Sequence, residues 1–398
     1  MKIVISKRKR PIRGGKGTIS ALSVVLGILL FTLILSIVGG DFVKSITLII
    51  SSFTSPAIIM DMLVLTMLGY ALLLSFKASI WNVGAEGQFF IGTIPVVYLL
   101  IVVFRDPPIL PGALILVAIV FAALLSGLWG ALVGVIKAYT GLDEVPLALI
   151  LNYVAYHIID YLVYNPFRGK SVYGYARTDE LPNSYLLNVR WTPGSPPTYV
   201  PPDIPGGDFN LLNVLMLWGY ELANTLIRWI YMLVYQIVFY AYLLVAAILI
   251  AIIVWFILSK TTIGLKLKIT GSNPDFLIAS GVSLKRYQVL AMFISGAFVG
   301  VVGALFLLSY SRRLSYPIEV QTSGYGYLAI LVTWLSALDP RFVPLAAYIV
   351  SSLRNAGIYL QIAGLGGIEQ TLLIIGTVLL SYSVLSFLSD YEVRVIKQ

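Results

Sequence analysis

Long apolar runs separated by short polar stretches make up most of the 398-residue chain. Most of these runs approach the roughly 20 residues that an α-helix needs to cross the hydrocarbon core of a bilayer. The ten runs lie at 19–38, 56–76, 85–104, 112–136, 145–164, 235–258, 288–308, 326–338, 342–360 and 368–388. The pattern predicts an all-α polytopic membrane protein with about ten transmembrane helices.

The spacing of the runs divides the chain into four parts. Residues 1–18 form a basic tail, and 19–164 form a first transmembrane half. Residues 165–234 form an external insertion, and 235–398 form a second transmembrane half that includes a basic loop at 259–287. The run that begins at Ile19 is longer than the apolar core of a typical signal peptide, so it is interpreted as a retained first span.

The insertion at 165–234 is rich in Pro, Gly, Tyr and Asn at first and then becomes apolar. Its apolar part is interrupted by Glu221, Asn224 and Arg228, and it carries tryptophans. Aromatic residues and interrupting charges favour a helix that lies at the membrane surface. A spanning helix is the alternative, and it would invert every later segment.

The distribution of basic residues gives the orientation. If the chain enters from the cytoplasm, cytoplasmic segments hold 17 Lys and Arg, external segments hold nine, and Arg354 lies within a span. Cytoplasmic loops of membrane proteins carry such an excess. The count predicts that the N-terminus, the C-terminus and the 259–287 loop are cytoplasmic.

Composition agrees with this class and excludes several others. The chain is 59% hydrophobic and only 11% charged, against roughly 25% charged in soluble domains. It has no cysteine and one histidine, His157, so thiolate and multi-histidine metal sites are excluded and no metal is expected. The net charge of +9 reflects topology, because the basic residues border apolar runs; no nucleic-acid partner is expected.

The 259–287 loop contains a short helix defined by its capping residues. Asn273 suits the N-cap, Pro274 the first helical position, and Asp275 the positive end of the helix dipole. Gly281 can adopt the left-handed conformation that ends the helix. Because two turns are unstable alone in water, we interpret the segment as a docking surface for another protein; a solvated loop is the alternative. The docking residues are Asn273, Pro274, Asp275, Phe276, Leu277, Ile278, Ala279, Ser280 and Gly281.

Four polar clusters lie at or within the predicted spans, where polar groups are costly unless they face a cavity or a partner. They are Trp81–Gln88 (WNVGAEGQ), Gly141–Tyr153 (GLDEVPLALILNY), 323–327 (SGYGY), and Arg354 with Asn355 and Gln361. Glycine-interrupted helices can expose backbone groups that bind polar solutes. Some residues of these clusters are candidates for lining the path of a polar solute through the membrane. These candidate path residues are Asn82, Glu86, Gln88, Asn152, Tyr153, Tyr325, Arg354 and Gln361.

Catalytic motifs are missing from the sequence. There is no GxxxxGK[ST] phosphate loop, so the chain is not expected to hydrolyse nucleotide itself, and neither GxSxG nor HExxH occurs. Asp61 and Asp160 are the only acids well inside predicted spans, which disfavours a proton-coupled secondary transporter working alone. The residues therefore give no catalytic signature, and the chain is not expected to be an enzyme.

The motifs resemble those of a known family. WNVGAEGQ resembles the N-[IVL]-G-x-E-G-Q signature of permease subunits in the nucleoside and simple-sugar branch of ABC importers, within the superfamily of ribose and branched-chain amino acid permeases. The GLDEVPLALILNY segment, the 261–305 stretch and the SGYGYLAILVTWLSALDP segment agree in order and spacing. The resemblance covers about 56–390, and the 165–234 insertion has no counterpart in the branch.

The resemblance implies a plasma-membrane permease subunit that works by alternating access. Its partners would be a cytoplasmic ABC ATPase that binds ATP and Mg²⁺, a second permease subunit, identical or homologous, and an extracellular solute-binding lipoprotein; the permease itself would bind no cofactor. The 273–281 helix would dock on the ATPase. Glu86 or Asn152 would contact the solute or support the broken helix that lines its path. Nucleosides or simple sugars are the expected solutes, and branched-chain amino acids are the alternative.

Overall fold

The computed structural model describes residues 2–7, 15–106, 110–170, 174–189, 191, 211–322, 324–366 and 369–396. Within these ranges the chain is a bundle of helices with one two-stranded ribbon. The helices are α1 (Gly15–Ile37), α2 (Phe42–Phe53), α3 (Ile58–Phe76), α4 (Ala85–Ile91), α5 (Thr93–Val97), α6 (Pro111–Thr140), α7 (Glu144–Tyr164), α8 (Leu211–Phe239), α9 (Ala241–Lys260), α10 (Thr262–Ser272), α11 (Pro274–Ala279), α12 (Leu284–Phe306), α13 (Tyr325–Leu335), α14 (Val343–Ile362) and α15 (Glu369–Asp390).

The polytopic all-α class predicted from the apolar runs is confirmed. Among the described residues, nine helices are long and apolar enough to cross a membrane. Two of the ten predicted spans take other forms: the run at 326–338 is the 11-residue helix α13, and the run at 342–360 is α14, which carries Arg354. An 11-residue helix rises only about 16 Å, so α13 is half a span.

The two chain ends pair with each other. Strand β1 (Lys2–Lys7) is antiparallel to strand β2 (Tyr391–Ile396), and α1 packs along α15. This pairing agrees with the prediction that the termini share one side of the membrane; that this side is the cytoplasm remains a prediction. We call the end of the bundle that carries the ribbon the terminal end.

Loop contacts assign the remaining segments to the two ends. At the terminal end, Gly17 of α1 lines a cavity with Asp339, and Ser386 of α15 lines one with Trp81. Beside these residues, Ser79 donates a hydrogen bond to the carbonyl of Gly271, and Tyr70 to that of Pro340. At the opposite end, the 165–191 segment holds the ends of other helices: Leu187 N–H donates to Leu308 O and Val189 N–H to Phe239 O. The 259–287 loop therefore lies at the same end as both termini.

Helix α3 lies at the centre, and the side chains of its last 15 residues except Met62 are buried. Being apolar on all sides is typical of a helix surrounded by protein, and α3 contacts α9, α12, α13 and α14. The other extensive contact joins α6 and α12, which meet through glycines. A Cβ at Gly300 would lie 2.5 Å from the carbonyl oxygen of Ala122, and one at Gly296 would lie 2.7 Å from that of Ser126. In lipid, such small residues allow the close packing that holds helices together.

We predict that Gly300→Ala destabilises the helix bundle, because the added methyl group overlaps the backbone of α6. Overpacking of this kind costs about 1–3 kcal/mol, and the melting temperature in detergent should fall. The control is Gly376→Ala in α15, where a Cβ meets no atom within 4 Å; it should keep or raise the melting temperature, since alanine favours helix by about 1 kcal/mol over glycine. Equal melting temperatures for the two variants would contradict the close-packing argument.

Candidate functional site

Two helices begin beside each other inside the bundle, α4 at Ala85 and α13 at Tyr325. They meet so closely that a Cβ at Gly326 would overlap the backbone of Glu86. The fully buried carboxylate of Glu86 accepts hydrogen bonds from the Thr322 hydroxyl (2.6 Å) and from the Gly326 N–H. It therefore satisfies a free N–H at the start of α13, where the helix dipole stabilises a negative charge.

Asn152 of α7 supports the same turn from the other side. Its side-chain oxygen accepts from Gly87 N–H (2.8 Å), and its amide nitrogen donates to Val83 O (3.0 Å) and to the Tyr327 hydroxyl (3.1 Å). Asn152 thus holds the backbone on both sides of Glu86 and links it to α13. Asn152 is fully buried, so water cannot reach these polar groups. The three hydrogen bonds therefore supply the partners that the groups need.

Asn82 and Gln88 form a third part of the site. Their side-chain amides exchange two hydrogen bonds (2.8 and 2.9 Å), and Asn82 also donates to the Ser295 hydroxyl of α12 (2.9 Å). Ser126 of α6 donates to the backbone carbonyl of Gln88 (2.6 Å). Hydrogen bonds therefore fix the non-helical stretch before α4 to α7 and α12, and they fix the first turn of α4 to α6, α7 and α13.

A second polar cluster lies nearby, where α3, α13 and α14 meet. Arg354 forms an ion pair with Asp61 (2.6 Å), and the Tyr325 hydroxyl donates to the same carboxylate. The guanidinium also stacks 4.9 Å from the centre of the Tyr325 ring. Tyr325 precedes Gly326, so this cluster adjoins the Glu86 contact. The Nε atom of Arg354 is buried without a hydrogen-bond partner among the described residues.

The structure brings six of the eight candidate path residues together and leaves two apart. Asn82, Glu86, Gln88, Asn152, Tyr325 and Arg354 lie in the contacts described above, whereas Tyr153 and Gln361 are exposed. Tyr153 instead meets the edge of the Tyr156 ring at 6.1 Å. Ser323 of the SGYGY motif lies outside the described residues.

Several contributors are not apparent from the sequence motifs. Thr322, Ser295 and Ser126 are common residue types with no distinctive spacing, and only the folded chain brings them to the site. Asp61 could have been predicted from the sequence, because an arginine buried within a span requires an opposite charge nearby. Asp143 caps α7, whereas the neighbouring Glu144 accepts from Trp81 N–H (3.0 Å) and pairs with Lys137.

The predicted docking helix forms α11, Pro274–Ala279. Asn273 caps it by accepting from Phe276 N–H (3.1 Å), and Gly281 adopts the left-handed conformation (φ 73°). Leu277 is buried, while Phe276 and Ile278 are 58% and 56% exposed. The helix therefore uses one apolar side chain to rest on its own chain and presents two others to solvent.

Comparison with known proteins places this site in a family. Residues 55–382 match the family described as "Branched-chain amino acid transport system / permease component", which is more than half of the chain. The chain belongs to this permease family. No solved structure matches it.

Several curated relatives of the permease are subunits of ABC transporters. It is 24% identical to the guanosine ABC transporter permease protein NupP of Bacillus subtilis over 74% of this chain and 70% of the relative. It is 23% identical to the nucleoside ABC transporter permease protein NupB of Lactococcus lactis over 74% and 69%, and 23% identical to a glucose ABC transporter permease protein of Haloferax volcanii over 82% and 74%.

The permease is accordingly a multi-pass protein of the plasma membrane and a transport component rather than an enzyme. Membership in the family implies an ATPase subunit and a second permease subunit as partners. The resemblance that the motifs indicated is confirmed, including its nucleoside and sugar branch.

We predict that Asn152→Ala lowers the stability of the permease and its uptake together, because the change leaves Gly87 N–H, Val83 O and Tyr327 without their partner. Each unsatisfied buried group costs about 1–3 kcal/mol. The control is Tyr153→Ala, which removes an adjacent exposed side chain and should leave the melting temperature almost unchanged. If Asn152→Ala abolished uptake at an unchanged melting temperature, the residue would contact the solute and would not support the broken helix.

Proposed function

We propose that this permease is half of the membrane channel of an ATP-driven importer for nucleosides or simple sugars. The relatives named for guanosine, nucleosides and glucose support this solute class. ATP bound and hydrolysed on the partner ATPase would drive alternating access, and an extracellular solute-binding lipoprotein would deliver the solute. The solute path would run between this chain and its counterpart, near the broken helix around Glu86.

The observation that carries the proposal is the connection between α11 and the Glu86 site. Helix α11 follows α10, whose Leu267 packs in a small apolar cluster with Ala78 and Ile80. Gly271 of α10 lies against the 77–79 turn and accepts the hydrogen bond from Ser79 (3.1 Å). Three residues after Ser79 comes Asn82, the first of the buried amides. A displacement of α11 would therefore be transmitted through packed atoms to the non-helical stretch between α3 and α4 that carries Asn82.

The basic residues of the loop support its placement beside a partner at the terminal end. Lys266 and Lys285 lie over the rings of Tyr287 and Tyr139, at 5.4 and 4.7 Å. These contacts hold the loop against α6 and α12, which leaves the exposed Phe276 and Ile278 facing away from the bundle. An apolar pair on a short, fixed helix suits insertion into a groove of another protein.

Branched-chain amino acids are the second candidate solute, because the description of the matched family names them. Uptake by the assembled complex with labelled guanosine, glucose or leucine, each competed by an excess of the other two, separates the candidates.

We predict that Ile278→Asp abolishes the coupling of ATP hydrolysis to uptake while the permease folds normally. The side chain is exposed, so a charge there acts on the partner, and uptake should fall by about tenfold or more. Ile278→Leu is the conservative control and should transport like the wild type. Leu277→Asp, by contrast, buries an unpaired charge and should lower the melting temperature of the chain itself. Normal transport by Ile278→Asp would contradict docking through α11.

We further predict that the permease reconstituted without its ATPase moves no solute. Proteoliposomes are prepared with the permeases alone, with the ATPase and no ATP, and with both ATPase and ATP, and the solute-binding lipoprotein is supplied in each case. Uptake should occur only in the last case. The competing function is that of a secondary carrier. Uptake driven by an ion gradient into proteoliposomes that lack the ATPase would establish that function.

A further inference from the structure

Helix α8 is long and apolar enough to cross a membrane over Trp218–Phe239, but the described segment before it is hydrogen-bonded to its last residue. Before it, Val189 N–H donates to the carbonyl of Phe239, the last residue of α8. After it, Tyr240 leads directly into α9. Residues 192–210 contain six prolines and no apolar run, so they offer no segment that could return through lipid. This composition favours an arrangement in which both ends of α8 are on one side of the bilayer.

The side chains of α8 separate into an apolar and a polar face. Trp218, Leu222, Leu226, Trp229, Leu233 and Ile237 recur every three or four residues and form one stripe. Glu221, Asn224 and Arg228 lie on the opposite side. This separation is typical of a helix that lies in the plane of the membrane surface with its apolar face in the acyl region.

The second half of the stripe closes a groove against the bundle. Trp229, Leu233 and Ile237 face Ile59 and Met62 of α3 across a cavity of about 410 Å³. The indole N–H of Trp229 donates to the carbonyl of Thr54 at the α2–α3 turn, so the helix is fixed at this point. The first half of the stripe extends beyond the groove, with Trp218 73% exposed and Leu222 62% exposed.

The lining of the groove determines what it can hold. No charged residue lines it, and its polar groups are already used within the chain. The Tyr348 hydroxyl donates to Phe53 O (2.6 Å), Thr54 to Ser51 O (3.0 Å), and Ser55 accepts from Tyr359 (2.8 Å). A nucleoside or sugar would leave most of its polar groups unpaired against this lining, whereas a hydrocarbon chain requires no hydrogen-bond partner.

We propose that α8 is an in-plane helix of the outer membrane surface and that the groove beneath it holds one acyl chain of an outer-leaflet lipid. The exposed start of the stripe is continuous with the groove, so the same lipid layer that covers Trp218 and Leu222 reaches the cavity between α8 and α3. The lipid chain completes the packing of α3 at the point where α2 turns into it.

Site-specific labelling tests the position of the helix, because the chain has no cysteine. Glu221→Cys should react with a membrane-impermeant maleimide added to intact cells. Lys266→Cys, at the terminal end, should react only after permeabilisation. If α8 crossed the bilayer, Glu221 would lie about 27 Å of helix length from Phe239 and would not react from outside, which would overturn the proposal.

Native mass spectrometry of the permease complex released from phosphatidylcholine nanodiscs tests the groove. The wild type should retain one phosphatidylcholine per permease, and Leu233→Trp, which fills the groove, should lower its occupancy by about tenfold. Ile237→Phe, at the other end of the lining, should lower it too. Ile230→Trp adds the same bulk on an exposed position outside the lining and should retain the lipid. The Glu221→Cys substitution is also combined with each variant, and maleimide labelling from outside verifies that α8 keeps its position. Equal lipid retention by Leu233→Trp and Ile230→Trp would overturn the lipid assignment.

Discussion

A helix that starts inside a membrane protein leaves its first N–H groups without partners, and no water is present in the bilayer core to replace them. In this permease the problem arises twice at one place, because α4 and α13 begin side by side. The carboxylate of Glu86 accepts a hydrogen bond from an N–H group at the start of α13. The side-chain oxygen of Asn152 accepts one from the N–H of Gly87, in the turn that carries Glu86. The arrangement around the site depends on these two side chains.

Their positions in turn depend on glycine. Gly326 lets α13 approach Glu86, and Gly87 lets α4 approach Asn152, since a Cβ at either position would overlap the partner. The neighbouring helices α6 and α12 also approach closely because small residues lie where their backbones cross. Close packing and buried hydrogen bonds therefore act together: the glycines bring polar groups within bonding distance, and the bonds favour that one arrangement over other close packings.

Much of this could be predicted from the sequence. The apolar runs predict the helical bundle because lipid imposes a length on every span, and the capping residues 273–281 predict α11 because their chemistry is local. The run at 326–338 was predicted to cross the membrane, but α13 ends at Leu335 and is too short to do so. Helices α2 and α10 were not predicted, because α2 is too short for a span and α10 carries a mixed, basic sequence.

The candidate site shows the same division. Glu86, Asn152 and the buried amides are conspicuous as polar residues in an apolar setting, so sequence reasoning finds them, but it cannot tell whether they face a solute or the chain itself. The structure shows each of them fully engaged within the chain. An importer that alternates between two states must change some of its internal contacts in each cycle, and groups that bond across α4, α7, α12 and α13 are placed where such helices separate or rejoin. Residues that stabilise one state in this way can control solute passage without touching the solute, because their bonds contribute to the free-energy difference between the states.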